Sequence, residues 1–197
     1  MKNKKRIFLI ILAIILFIVA LESPQWMIFP LWILVYLLKD SLIKIIDKIS
    51  LPVAFIGLGT VFGLLTELFA VFENLDVEYG ERILMSQNFL TDILLGPAYY
   101  TLFITFIYFL VKKYKFTKKS IFITSGIYGI FTENGWAILL SIFVNPILGI
   151  PMSFIIMSVY AVFPLLAYIL TEHRFKSERK KPTIKIYFLL LPIFFSL

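Results

Sequence analysis

The chain has 197 residues, 60% hydrophobic and only 16% charged, with a mean hydropathy of +0.95 and a formal net charge of +7. A water-soluble domain of this length carries more charge and less apolar surface, so the composition points to an all-α, polytopic helical membrane protein. There is no cysteine and one histidine, which excludes disulfides, thiol nucleophiles and Cys- or His-rich metal sites; no phosphate loop, dinucleotide fingerprint or zinc signature is present, so no cofactor and no metal is expected.

Lys2, Lys4, Lys5 and Arg6 precede the apolar run Ile7 to Leu21. A basic start and a short apolar middle also describe a secretory signal. Around Ala20, Leu21, Glu22 and Ser23, however, no pair of small residues stands where a signal peptidase reads, so the run is expected to remain as a first span. At ~15 residues it is roughly 22 Å long as a helix, short for a bilayer core. Ser23-Pro24 breaks it, and Trp26 to Leu38 forms a second short span with Trp26 as an interfacial anchor. From Lys39 to Ile49, Asp40, Lys44, Asp47 and Lys48 share one helical face and Leu42, Ile43, Ile46 and Ile49 the other. This pattern fits an amphipathic segment lying along the membrane surface, and equally a solvated end of the second span.

Leu51 to Phe72 is the third expected span, and Glu73 to Asp92 a polar outer loop. Ile93 to Val111 is the fourth span, opened by Gly96-Pro97 and followed by Lys112, Lys113, Lys115, Lys118 and Lys119. Ile121 to Val144 is the fifth; Asn145-Pro146 turns the chain into the sixth, Ile147 to Leu170. A basic loop from His173 to Lys185 leads to a short last run, Ile186 to Leu197, read as a seventh transmembrane helix. The expected organisation is one transmembrane domain, 1–197: an N-terminal hairpin with its amphipathic segment (1–49), a first repeat (50–119), a second repeat (120–181) and a C-terminal span (182–197).

Charge orients the chain. With the N-terminus in the cytoplasm, segments 1–6, 39–49, 112–119 and 172–185 are cytoplasmic, and of the 19 Lys and Arg all but Arg82 fall in them. Glu22, Glu73, Asp76, Glu78, Glu81 and Asp92 fall on the other side. This positive-inside pattern predicts a multi-pass protein of the cell membrane, and it assigns the positive charge to topology and anionic lipid rather than to nucleic acid. The expected partners are the lipid bilayer and, as a source of further helices, a second copy of the chain in a homo-oligomer.

One segment occurs twice. Gly59, Gly63 and Glu67 follow one another at four-residue steps in the third span, as do Ser125, Gly129 and Glu133 in the fifth, and Thr66 and Thr132 immediately precede the glutamates. Each triplet therefore lies on one helical face. Each copy is followed by an outer segment, a Gly-Pro start (Gly96-Pro97; Gly149-Ile150-Pro151) and another span with a basic end. This predicts a tandem two-helix repeat, spans 3–4 and 5–6, forming a four-helix core about a pseudo-two-fold axis along the membrane normal.

An ionised glutamate in hydrocarbon costs roughly 2–3 kcal/mol on insertion scales. Glu67 and Glu133 should therefore face protein or a polar cavity, or carry a proton. Small residues at Gly59, Gly63, Ser125 and Gly129 permit close helix packing on the same face, which turns the carboxylates toward a neighbouring helix. Thr101, Thr105 and Tyr108 on one face of the fourth span are candidate partner groups, and Ser153, Met157 and Tyr160 line one face of the sixth. A helix break near Thr132 to Gly135 would fit the Asn134-Gly135 pair.

Other constellations carry less. The outer acidic residues lack the spacing of a calcium loop and follow from topology alone. His173 and Ser125 share the cytoplasmic side as a base and a nucleophile, but His173 sits between Glu172 and Arg174 at a helix C-terminus, where a cation is favoured anyway. The leading expectation is that Glu67 and Glu133 bind or translocate a proton, a cation or a small cationic solute. An acid–base enzyme acting on a lipid or isoprenoid inside the membrane is the catalytic alternative. A non-catalytic scaffold, with protonated glutamates bridging helices, is the third.

Overall fold

The structure, a computed structural model, describes residues 2–82, 88–132, 135–183 and 186. Among these it is all-helical: α1 (Lys2–Glu22), α2 (Ile28–Ile46), α3 (Leu51–Glu73), α4 (Phe89–Lys113), α5 (Lys118–Thr132), α6 (Gly135–Val144) and α7 (Pro146–Thr171), with 3-10 turns at Pro24–Met27 and Glu172–Arg174. The described β-structure is one isolated parallel bridge between Tyr114 and Lys180. Three helical segments are long and apolar enough to cross a membrane: Leu51–Glu73, Phe89–Lys113 and Pro146–Arg174. The chain is thus a helical membrane protein.

The helix ends are set by local chemistry. Asn88 accepts from the backbone N–H groups of Leu90 and Thr91 at 3.0 and 3.1 Å and caps α4. That cap starts α4 at Phe89, before the expected Ile93. Asp92 accordingly lies in the first turn of the helix, fully buried, and not at the end of a loop. Pro97 sits inside α4 rather than at its start. Thr117 and Ser120 exchange side-chain and backbone bonds across the first turn of α5, a reciprocal cap. Asn145 caps α7 through Leu148 N–H, with Pro146 in the first turn, where its missing donor costs nothing.

Other boundaries differ from the sequence reading. Lys39 to Ile46 continue α2 without a turn, so this part of the amphipathic segment is the end of the second helix. Every 18-residue stretch of α1 holds three or more of Lys2, Lys4, Lys5, Arg6 and Glu22, and every such stretch of α2 holds Lys39, Asp40 and Lys44, so neither offers a full-length apolar span. The expected fifth span is covered by α5 and α6, of 15 and 10 residues, on either side of 133–134, which lie outside the described residues. Apart from Ile186, so does the expected seventh span.

The chain divides into two compact units, Met1–Thr105 and Phe106–Leu197. In the first, α1 packs on α2, and the Pro24–Met27 turn packs on α3, where the Ser23 hydroxyl donates to Glu73 Oε1 at 2.9 Å. Its core includes Ala54, Phe55 and Val71 of α3 and Tyr100, Phe103 and Ile104 of α4. Much of α1 remains apolar and exposed, from Ile7 to Leu21, as a lipid-facing helix would be. In the second unit α7 packs against both α5 and α6. Its C-terminal half, from Ala161 through Ala167, is buried all round, and Tyr168 ties it to Phe116 O at 2.8 Å.

Five hydroxyls within the helices share one pattern. Thr66, Thr124, Ser153, Ser158 and Thr171 each donate to the carbonyl four residues back, at 2.5 to 2.9 Å. In an apolar surround the helix's own carbonyl is the nearest acceptor, and using it satisfies the hydroxyl proton.

Candidate functional site

The site in the first unit is built by two antiparallel ladders. On α3, Gly59, Gly63 and Glu67 descend at four-residue steps; on α4, Ile104, Tyr100 and Gly96 ascend at the same step. They meet rung by rung. A Cβ placed on Gly59 would lie 2.6 Å from Ile104 Cδ1, and one on Gly63 would overlap the Tyr100 ring. One placed on Gly96 would lie 3.3 Å from Leu64 Cδ2 and 3.9 Å from Glu67 Cγ. Glycine at 59 and 63 thus lets α4 approach closely enough to lay its large side chains in the notch.

The third rung carries the chemistry. Glu67 is 8% exposed, and Tyr100 donates its hydroxyl to Glu67 Oε2 at 2.5 Å. The ring of Tyr100 is itself held edge-on by Tyr99, with centroids 5.1 Å apart. Beside the ladder, Thr60 and Thr101 bring their hydroxyl oxygens within 3.2 Å.

The sequence-nominated residues divide accordingly. Glu67, Gly59 and Gly63 share one interface. Thr101 belongs beside it through Thr60, and Thr105 is half-buried one turn further along α4. Thr66 turns its hydroxyl to Phe62 O. Tyr108 lies two turns beyond Tyr100, ~12 Å along the helix axis, and belongs to the second unit, with its ring 6.2 Å from that of Phe175. The phenol that reaches Glu67 is therefore Tyr100, which the sequence reading passed over. The usable signal was the Gly96-Tyr100-Ile104 step, which matches the Gly59-Gly63-Glu67 step in reverse.

In the second unit Gly129 is covered by the Tyr160 ring, which also stands edge-on to Tyr128 at 6.0 Å. Gly126 meets Met157 in the same way, with 2.8 Å from its virtual Cβ to Met157 Cβ. Met157 and Tyr160, grouped on one face by spacing alone, thus both pack on α5, whereas Ser153 bonds back to Gly149 O. Ser125 is 1% exposed and lines a small apolar cavity with Ile107, Leu110, Val111, Phe116, Ile121 and Thr124. Glu133 and the side chain of Thr132 lie outside the described residues. His173 is exposed whereas Ser125 is enclosed. Among the described residues no three His, Asp or Glu are grouped to hold a metal ion.

Between α3 and α4, Arg82 is stacked over Phe89 at 4.0 Å and near Tyr79 at 5.7 Å, and donates to Val77 O at 3.0 Å. These ring and carbonyl contacts engage the one basic residue that falls outside the expected cytoplasmic segments. No protein family's sequence model matches the chain, nor does any curated protein or solved structure.

Proposed function

We propose that this chain is a multi-pass protein of the cell membrane, with its N-terminus in the cytoplasm, that binds and moves a proton at Glu67, and that Glu133 is the equivalent group of a tandem second copy. The Tyr100–Glu67 hydrogen bond, buried between two segments of membrane-spanning length, carries the reading. A carboxyl and a phenol in direct contact can exchange a proton without any ion entering between them. The hydrogen bond fills the space between the phenol oxygen and Glu67 Oε2, which favours a proton there over a metal ion or a cationic solute.

Duplication is supported by packing as well as by sequence. Gly63 and Gly129 are aligned by the motif, and each is covered by a tyrosine ring from the long helix that follows. In each copy the glutamate follows the glycine by four residues in sequence. The charge pattern supports the orientation, and the apolar runs of α1 and α2 support spans beyond the three of full length.

One observation favours a second reading. The same Tyr100 hydroxyl satisfies Glu67 as a static clasp between α3 and α4. The two readings part on Glu67→Gln, which keeps size and hydrogen bonding but cannot titrate. In proteoliposomes with an imposed membrane potential, the wild type is expected to acidify or alkalinise the lumen, and E67Q to abolish the flux while remaining folded. Equal flux through E67Q sinks the proton site and leaves the clasp. Loss in E67Q with unchanged flux in E133Q would keep the Glu67 site and overturn the second copy.

A further inference from the structure

We infer that the segments around Lys112–Lys119 and Lys176–Lys181 form one stitched cationic surface that binds anionic phospholipid headgroups. The two segments are about sixty residues apart in sequence, yet the structure joins them in the second unit. Lys115 N–H donates to Lys180 O at 2.8 Å, within the Tyr114–Lys180 bridge. Arg179 clamps the join: its guanidinium donates to Val111 O at 2.6 Å and Tyr114 O at 3.5 Å, its Nε bonds Lys176 O at 2.8 Å, and its plane lies 4.9 Å from the Phe175 ring.

Three features point to lipid. First, Phe89–Lys113 and Pro146–Arg174, both long and apolar enough to cross a membrane, end here, where a spanning helix meets the headgroups. Second, Lys112, Lys113, Lys115, Lys118, Lys119, Lys176, Lys180 and Lys181 are all exposed, while the carboxylates in these segments are Glu172, which pairs with Lys118, and Glu178. Third, Arg179 directs the donors described here at carbonyls and so fixes backbone rather than neutralising an acid. Lysines held at set spacings by a backbone join lose less freedom on binding a headgroup than lysines on two loose loops. Cations at the C-terminal ends of α4 and α7 are also favoured in place by the helix dipoles.

The experiment uses the full-length protein in bilayers of phosphatidylglycerol or of phosphatidylcholine, with lipid retention counted by native mass spectrometry after gentle extraction. The wild type is expected to retain phosphatidylglycerol selectively, and the selectivity to fall with added salt. The pair Lys115→Gln and Lys180→Gln should weaken retention by about fivefold for each lysine removed. The pair Lys44→Gln and Lys48→Gln, at and just beyond the end of α2, should weaken it clearly less. Arg179→Lys keeps the charge but not the fork, and should also weaken retention. Equal retention of both lipids, insensitivity to salt, or an equal loss in the Lys44/Lys48 pair overturns the proposal. Because the wild-type salt response needs no variant, a misfolded substitution does not shelter it.

Discussion

Tyr100 donates to Glu67 Oε2 at 2.5 Å, and the ring that carries its hydroxyl lies on Gly63, one turn before Glu67 on the same helix. The glycine and the hydrogen bond therefore depend on one another. Without the notch the ring could not sit between the helices; without the hydroxyl a buried carboxyl would lose a donor. Removing one partner of a buried bond to a carboxylate costs about 1.5–3 kcal/mol, whereas removing both is much closer to neutral. Tyr100→Phe should thus lower thermal stability in detergent by that order, and Glu67→Leu likewise. The double variant should cost clearly less than the two together. Strict additivity would mean that the bond is not made.

Glycine in a helix interior ordinarily weakens it, so the effect of adding a methyl group reports what the glycine faces. Gly57 faces open space, and Gly57→Ala should stabilise α3 by about 0.5–1 kcal/mol. Gly63→Ala and Gly129→Ala drive a Cβ into the Tyr100 and Tyr160 rings and should cost about 1–3 kcal/mol. The opposite signs at Gly57 and Gly63, one helix and six residues apart, are read from thermal unfolding of the three variants.

The helical class was legible because apolar runs of spanning length have no alternative in water or lipid. The notch was legible too: glycines and a glutamate at four-residue steps can occupy only one face. Which residue answers Glu67 was not legible. Thr101, Thr105 and Tyr108 share a face by period, but the relevant face is set by the register of α4 on α3, and a shift of one position exchanges Thr101 for Tyr100. Likewise Asn88 moved the start of α4 ahead of Asp92. A capping side chain competes with the polar character of a loop, and composition counts only the latter. Lys39 to Ile46 show the converse, since an amphipathic period reads alike for a surface helix and for the end of a span.

The caps offer a graded test. Asn88 accepts from two N–H groups at 3.0 and 3.1 Å, whereas Asn145 accepts from Leu148 N–H at 3.4 Å. Asn88→Ala should cost about 1 kcal/mol, near the usual value for a lost cap, and Asn145→Ala less. Hydrogen exchange distinguishes local from global loss. The amides of Leu90 and Thr91 should lose protection in the first variant while the middle of α4 keeps it. Equal losses in the two variants would show that distance at the cap does not grade its contribution.

Ser125 tests the reading of the small-residue face. Its Oγ is enclosed beside the apolar cavity and makes no hydrogen bond among the described residues, although Thr124, its neighbour, donates to Ser120 O at 2.5 Å. A buried hydroxyl without a partner carries a desolvation penalty of about 1–3 kcal/mol, and part of it is recovered when the group is removed. Ser125→Ala keeps a small residue on the face and should therefore leave the fold unchanged or more stable. Thr124→Val, which removes a satisfied hydroxyl, should leave a carbonyl less well bonded and gain nothing. Proton flux in Ser125→Ala is expected to equal the wild type, because alanine keeps a small residue on the face and a hydroxyl is not a titrating group. A stability loss would instead show that the hydroxyl holds a buried water, and a loss of activity in a stable variant would restore Ser125 as a reacting group.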